Sequence, residues 1–158
     1  GMFTCQEEIG AKGAQVVAYD SRPQMTITLD TVPTKNPDTT APRDTDIDRG
    51  PVIRLVDWLP AAKLGMVTHP AIKERLLAAA EEIGIPFQVD VLTSTYLDSA
   101  RAHLTAGGIP GGSLCIPRRY SHSAVELGHL NDITHSLRLL IKVIEDLDKK
   151  PIEFGRVY

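Results

Sequence analysis

Glu7 and Glu8 stand side by side at the close of a short apolar run, Met2-Phe3-Thr4-Cys5, and ahead of a glycine-punctuated stretch, Ile9-Gly10-Ala11-Lys12-Gly13-Ala14. Two adjacent carboxylates at a strand end cannot share one face. If both are used, one binds a cation and the other moves a proton. Further groups of this kind fall where the sequence places strand ends. Asp30 follows Thr26-Ile27-Thr28-Leu29, and Asp98 comes shortly after the stretch 87–92. His122 is reached from a strand ending at Ile116 through Pro117-Arg118-Arg119-Tyr120-Ser121. Carboxylates and an imidazole converging on loops suit a Zn or Co hydrolase, because they hold the ion and leave a position for water.

Each residue also has a plainer reading. Glu7-Glu8 suit the N-terminus of a helix, where the macrodipole favours carboxylates. Asp30 suits a turn, and Asp98 suits a helix cap. His122, like His69, His103, His129 and His135, suits a hydrogen-bonded loop or surface histidine. Arg118-Arg119 either grip a substrate carboxylate or are solvated, and Trp58, the only tryptophan, reads as packing or a loop anchor.

The elements that must position these groups follow from hydrophobic periodicity. Residues 2–6 read as a buried strand, 11–19 as a short helix, 24–29 as a strand and 52–56 as another. The intervening stretch 31–50, with Pro33, Pro37, Pro42, Asp38, Asp44, Asp46 and Asp48, has the turn chemistry of a long surface loop. Pro70 opens a helix that carries Ile72, Leu76, Leu77 and Ala80 on one face and stops at Gly84. Residues 87–92 and 113–116 read as strands, and between them Asp98 caps a helix over 100–106 that ends at Gly107-Gly108. Asn131 or Asp132 caps a last long helix bearing Ile133, Leu137, Leu140, Ile141, Ile144 and Leu147. Strands alternating with helices predict an α/β three-layer sandwich, with a mixed, mainly parallel sheet and helices on both faces. Reactive groups in such a fold collect beyond the carboxyl ends of the strands.

The 158 residues, 42% hydrophobic and 23% charged, suit one α/β domain over residues 2–158 with a real core. Gly1 ahead of Met2 reads as a cloning remnant. With 17 basic against 20 acidic residues there is no phosphate-binding excess, which argues against nucleic acid as a partner. No apolar run approaches the ~20 residues that span a bilayer, which argues against a membrane partner. Cys5 and Cys115, both in apolar strand-like contexts, read as reduced and buried, as expected of a cytoplasmic protein.

The blocks Gln6-Glu7-Glu8-Ile9-Gly10-Ala11-Lys12-Gly13-Ala14, Leu29-Asp30-Thr31, Gly50-Pro51-Val52-Ile53 and Arg119-Tyr120-Ser121-His122-Ser123-Ala124-Val125-Glu126 together carry a resemblance. In order and approximate spacing they resemble the glutamyl aminopeptidase and tetrahedral aminopeptidase family of metallopeptidases, some members of which are labelled endoglucanases. The resemblance implies a zinc-exopeptidase fold, a peptide substrate and two divalent ions, Zn or Co, that activate a water. It implies Glu7 as the general base, Glu8 and His122 as ligands of one ion, and Asp30 as a ligand of the other. Asp98 resembles the acidic position of a Gly-Thr-Asp-Ala block, although Leu97 and Ser99 replace its neighbours. It is therefore carried, with Arg119, as either substrate-contacting or structural.

The family draws two more ligands from upstream, a His and a bridging Asp, and assembles through an inserted domain. Only six residues precede Glu7. The expectation is therefore the C-terminal part of a metallo-aminopeptidase catalytic domain that alone binds one ion or none. It would associate as a homo-oligomer or through the surface left by the missing half. Two alternatives stand beside it: a non-catalytic interaction module that has lost its ligands, and, resting on the endoglucanase label alone, a glycoside hydrolase with paired acids and no metal.

Overall fold

The computed structural model describes residues 1–37 and 43–154. The part of the expected loop that holds Asp38 and Pro42 lies outside the described residues. Six strands form one mixed sheet: β1 (Thr26–Pro33), β2 (Val52–Leu59), β3 (Leu64–Val67), β4 (Gln88–Leu92), β5 (Gly111–Arg119) and β6 (Leu127–Gly128). β1 runs parallel to β5, with Thr26 opposite Gly111 and Pro33 opposite Arg118. β2 lies antiparallel to β5 at residues 52–54 and to β3 at 56–59, and parallel to β4 along its other side. β6 pairs with the end of β5. Two of the five pairings are parallel, and they hold the longest ladders. Among the described residues, β1, β3, β4 and β6 each pair with a single neighbour.

Helices cover both faces, as the alternation predicts. Side chains along a strand point alternately to the two faces. Ile53 and Leu114 pack under α2 (Pro70–Glu82) and α4 (Leu130–Lys149) with Ile72, Leu76, Leu139 and Val143. Their neighbours Val52 and Cys115 point the other way, into a smaller cluster with Val32, Leu92 and Leu97. That second face is covered by α1 (Lys12–Ser21) and the four-residue α3 (Ser99–Ala102), joined through Ala18, Ala102 and Ile109.

The expected punctuation of α2 is present. Pro70 occupies its first turn, the His69 ring accepts from the Ala71 amide at 3.3 Å, and Gly84 follows at φ +62°. β2 and β5 contain the predicted runs and extend them, β1 starts two residues later than predicted and runs on to Pro33, β4 starts one residue later and ends as predicted, and β3 and β6 were not anticipated.

Four expectations need correction. Residues 2–6 form no strand. Gln6 sits at φ +62°, and the carbonyls of Cys5 and Gln6 accept the Gly13 and Lys12 amides of α1 instead of a strand neighbour. Cys5 is consequently exposed, not buried. The 100–106 helix shrinks to α3, because Ala106 and Gly107-Gly108 all take positive φ and the chain closes through i→i+3 bonds at Leu104 and Thr105. The cap of α4 is His129, whose ring accepts the Asn131 amide at 3.2 Å. Asp132 is drawn into the core instead, where its two oxygens each accept a backbone amide, Asp48 and Gly50, at 2.7 Å.

Candidate active site

Glu7 and Glu8 lie in a tight turn rather than at a strand end. The Glu7 carbonyl accepts the Gly10 and Ala11 amides at 3.1 and 2.9 Å, and α1 begins immediately after. Gly13 lets that helix abut the turn: a Cβ there would stand 2.3 Å from the Cys5 carbonyl oxygen. Asp30 sits within β1, which continues to Pro33, and its Oδ1 accepts the Thr31 amide at 2.6 Å. His122 follows β5 across Tyr120, and both residues adopt φ +61°.

These elements bring the four sequence-predicted groups together. Glu7, Glu8, Asp30 and His122 all line one cavity of about 570 Å3. Its other walls include Tyr96, Leu97, Leu59, Leu64 and Arg118. The Glu8 carboxylate and the His122 ring approach to 3.7 Å at the open side, with 73% and 65% of their side chains exposed.

Deeper in, charge is less well solvated. The Glu7 carboxyl is pushed up to about 7, first by burial and then by the negative field of Asp30, Glu8, Asp98 and Asp57. Asp30 is also raised, by burial foremost and by Asp98, against the Thr31 amide and the guanidinium charges of Arg118 and Arg54. A carboxylate poised near neutrality suits proton transfer at physiological pH.

Asp98 and Arg119 do not line the cavity. The Asp98 side chain makes no cap bond with α3 and instead accepts the Thr4 hydroxyl. Arg119 is paired with Asp46 at 2.7 Å, which pulls the Asp46 carboxyl below its usual range despite partial burial. Arg118 reaches the cavity wall but is paired with Glu126.

A buried polar network behind the cavity went unrecognised in the sequence. Asp57 accepts the Met66 amide at 2.7 Å, the Leu97 amide at 3.0 Å and the Ser99 hydroxyl at 3.3 Å, and Ser113 donates to Ser99 at 3.1 Å. Arg54, 1% exposed, reaches Asp90 at 3.4 Å, while its Nε and Nη1 make no hydrogen bond. The signal was present: two charges inside the apolar strand run Val52-Ile53-Arg54-Leu55-Val56-Asp57 are costly unless they are partnered.

The donors present do not complete a metal site. Among the described residues, no three His, Cys, Asp or Glu side chains stand close enough to hold one ion. Glu8 and His122 form a pair, below the usual three protein ligands of a catalytic zinc. No described helix is long and apolar enough to cross a membrane.

Residues 1–139 match the family described as M42 glutamyl aminopeptidase. A provisionally named aminopeptidase of Acetivibrio thermocellus is 34% identical over 143 residues, covering 90% of this chain and 42% of that protein. The TET aminopeptidase of a marine sediment archaeon of the Thaumarchaeota superposes with a TM-score of 0.82 at 28% identity, covering 91% of this chain and 39% of that one. A TET peptidase of Pyrococcus horikoshii, which can assemble into a tetrahedron or a large octahedral shell, gives 0.68 at 30% identity, covering 90% and 39%. The chain thus spans about two fifths of the length of the relatives it matches.

Proposed function

The chain belongs to the M42 glutamyl aminopeptidase family, and from that premise we propose that it is the C-terminal part of the catalytic domain of a metal-dependent aminopeptidase. Glu7 is the general base. Its carboxylate takes a proton from the water whose oxygen attacks the scissile carbonyl carbon, and returns it to the amine nitrogen as the C–N bond breaks. Glu8 and His122 belong to the shell of one divalent ion, Zn or Co, and Asp30 to that of a second. Their number is too small to hold either ion, so the remaining ligands come from polypeptide outside these 158 residues.

The observation that carries this reading is the meeting of Glu7, Glu8, Asp30 and His122 on one cavity, with Glu7 held near neutrality by burial among carboxylates. Exposed apolar surface supports the need for a covering partner. Leu130, Ile133, Leu137, Ile141 and Ile144 make a stripe along the outer side of α4, and Leu29 stands exposed on the edge strand β1. A stripe of this length marks a face that another polypeptide covers. That polypeptide is the rest of a longer protein or, in a homo-oligomer, a second copy. The absence of any three-donor cluster among the described residues favours one other reading, a folded interaction module without catalysis.

Activity decides between them. The full-length protein carrying this chain, loaded with Zn or Co, is expected to hydrolyse aminoacyl-anilides. Glu7→Gln is expected to lower turnover by about 10²- to 10⁴-fold with metal content unchanged. No hydrolysis at saturating metal refutes the peptidase reading, and loss of metal in step with activity reverses the roles of Glu7 and Glu8.

A further inference from the structure

Glu7 lies outside any regular element, so no ladder or helix fixes the direction of its side chain. The turn that carries it is flanked by two non-glycine residues in left-handed conformations, Gln6 at φ +62° and Ala11 at +52°. Such residues are strained and persist only where surrounding contacts over-determine them. Those contacts come from the segment entering α3. The Tyr96 hydroxyl sits in the mouth of the turn, accepting the Gly10 amide at 2.9 Å and donating to the Glu7 carbonyl at 3.1 Å. Arg101 Nε donates to the Gly10 carbonyl at 3.3 Å. The Thr4 hydroxyl donates to Asp98 on the near side of the turn. Both ends of the Glu7-Glu8 turn are thus stapled to one short stretch of chain, 96–101, with Tyr96 at its centre.

We propose that Tyr96 is a positioning residue for Glu7, its hydroxyl bridging the two ends of the Glu7–Gly10 turn so that the carboxylate stays aimed into the cavity. The proposal rests on the reading of Glu7 as the general base. Tyr96 itself lines the cavity, and Phe at this position keeps the ring as a wall while deleting both hydrogen bonds. A turn freed in this way displaces the carboxylate by fractions of an ångström to an ångström, a misplacement that costs catalysis far more than binding.

Steady-state kinetics of the full-length protein on an aminoacyl-anilide test it through a double-mutant cycle. Tyr96→Phe is expected to lower kcat by roughly 10- to 100-fold, with KM and metal content within twofold of wild type. In the Glu7→Gln background it should cost nothing more, since Tyr96 acts only through that carboxylate. Arg101→Met, which removes the outer contact, should lower kcat by a few-fold and also be silent without Glu7. It serves if Tyr96→Phe does not fold. The proposal is overturned by an unchanged kcat, by a loss confined to KM, or by an equal loss in the Glu7→Gln background. If Glu7→Gln itself leaves turnover intact, the general-base reading fails and Tyr96 loses its role with it, an outcome separable from the other three.

Discussion

The two faces of the sheet are built on different terms. Under α2 and α4, Ile53, Leu114, Ile72, Leu76, Leu139 and Val143 meet with little but aliphatic surface. Under α1 and α3 the apolar cluster is smaller, and beside it lie Arg54, Asp57, Ser99 and Ser113, all buried. Burial of apolar area stabilises at about 25 cal/mol per Å2, whereas buried charges at best offset their own desolvation. The first face therefore holds the fold. The second carries buried polar groups beside the cavity, and the carboxylates above it repel one another.

Three changes break or sharpen that contrast. The largest is Leu114→Ala, a truncation at the centre of the apolar face, expected to cost about 2–5 kcal/mol in chemical denaturation. A cost below 1 kcal/mol means this face is not the principal support. Next is His122→Ala at the mouth of the cavity. Its ring is mostly exposed, so stability should move by less than about 0.5 kcal/mol, while metal affinity of the full-length protein should fall about tenfold or more. Unchanged occupancy strikes His122 from the ligand set.

The smallest effect concerns Glu7 and pH in the metal-free chain. Its folded pKa is raised from 4.5 to about 7, so the folded state favours the protonated acid. That contribution is fully present below pH 4.5 and is lost as pH rises through about 7. Glu7→Gln, which cannot ionise, should match wild type near pH 4 and show the higher Tm at pH 8. Equal Tm values at pH 8 contradict the burial of charge at this position.

Much of the first face was legible in the chain. The period of α2, bounded by Pro70 and Gly84, needs only helix stereochemistry, and the β-branched runs of β1 and β2 need only the pleat. The apolar run 2–6 misled because strand propensity acts only where a neighbour offers its backbone, and α1 claimed those carbonyls first. Asp132 misled for a related reason. Capping is a local preference, whereas two loop amides more than eighty positions away made a stronger demand on its carboxylate. The convergence of Glu7, Asp30 and His122 was readable through the family resemblance but not through spacing, since nothing local relates them. Tyr96 takes its role wholly from tertiary contacts, which no single-sequence pattern announces, whereas Arg54 and Asp57 stand out as charges in an apolar run although their partners do not.

The two thiols differ as sharply as the two faces. Cys5 is exposed, whereas Cys115 lies inside β5 with its pKa pushed up to about 12, by burial first and by the nearby acids. A maleimide dye therefore has one target in the native chain, two residues ahead of Glu7. Attached there, without an engineered handle, it becomes an optical reporter beside the cavity-lining Glu7, able to register in real time whatever enters the cavity.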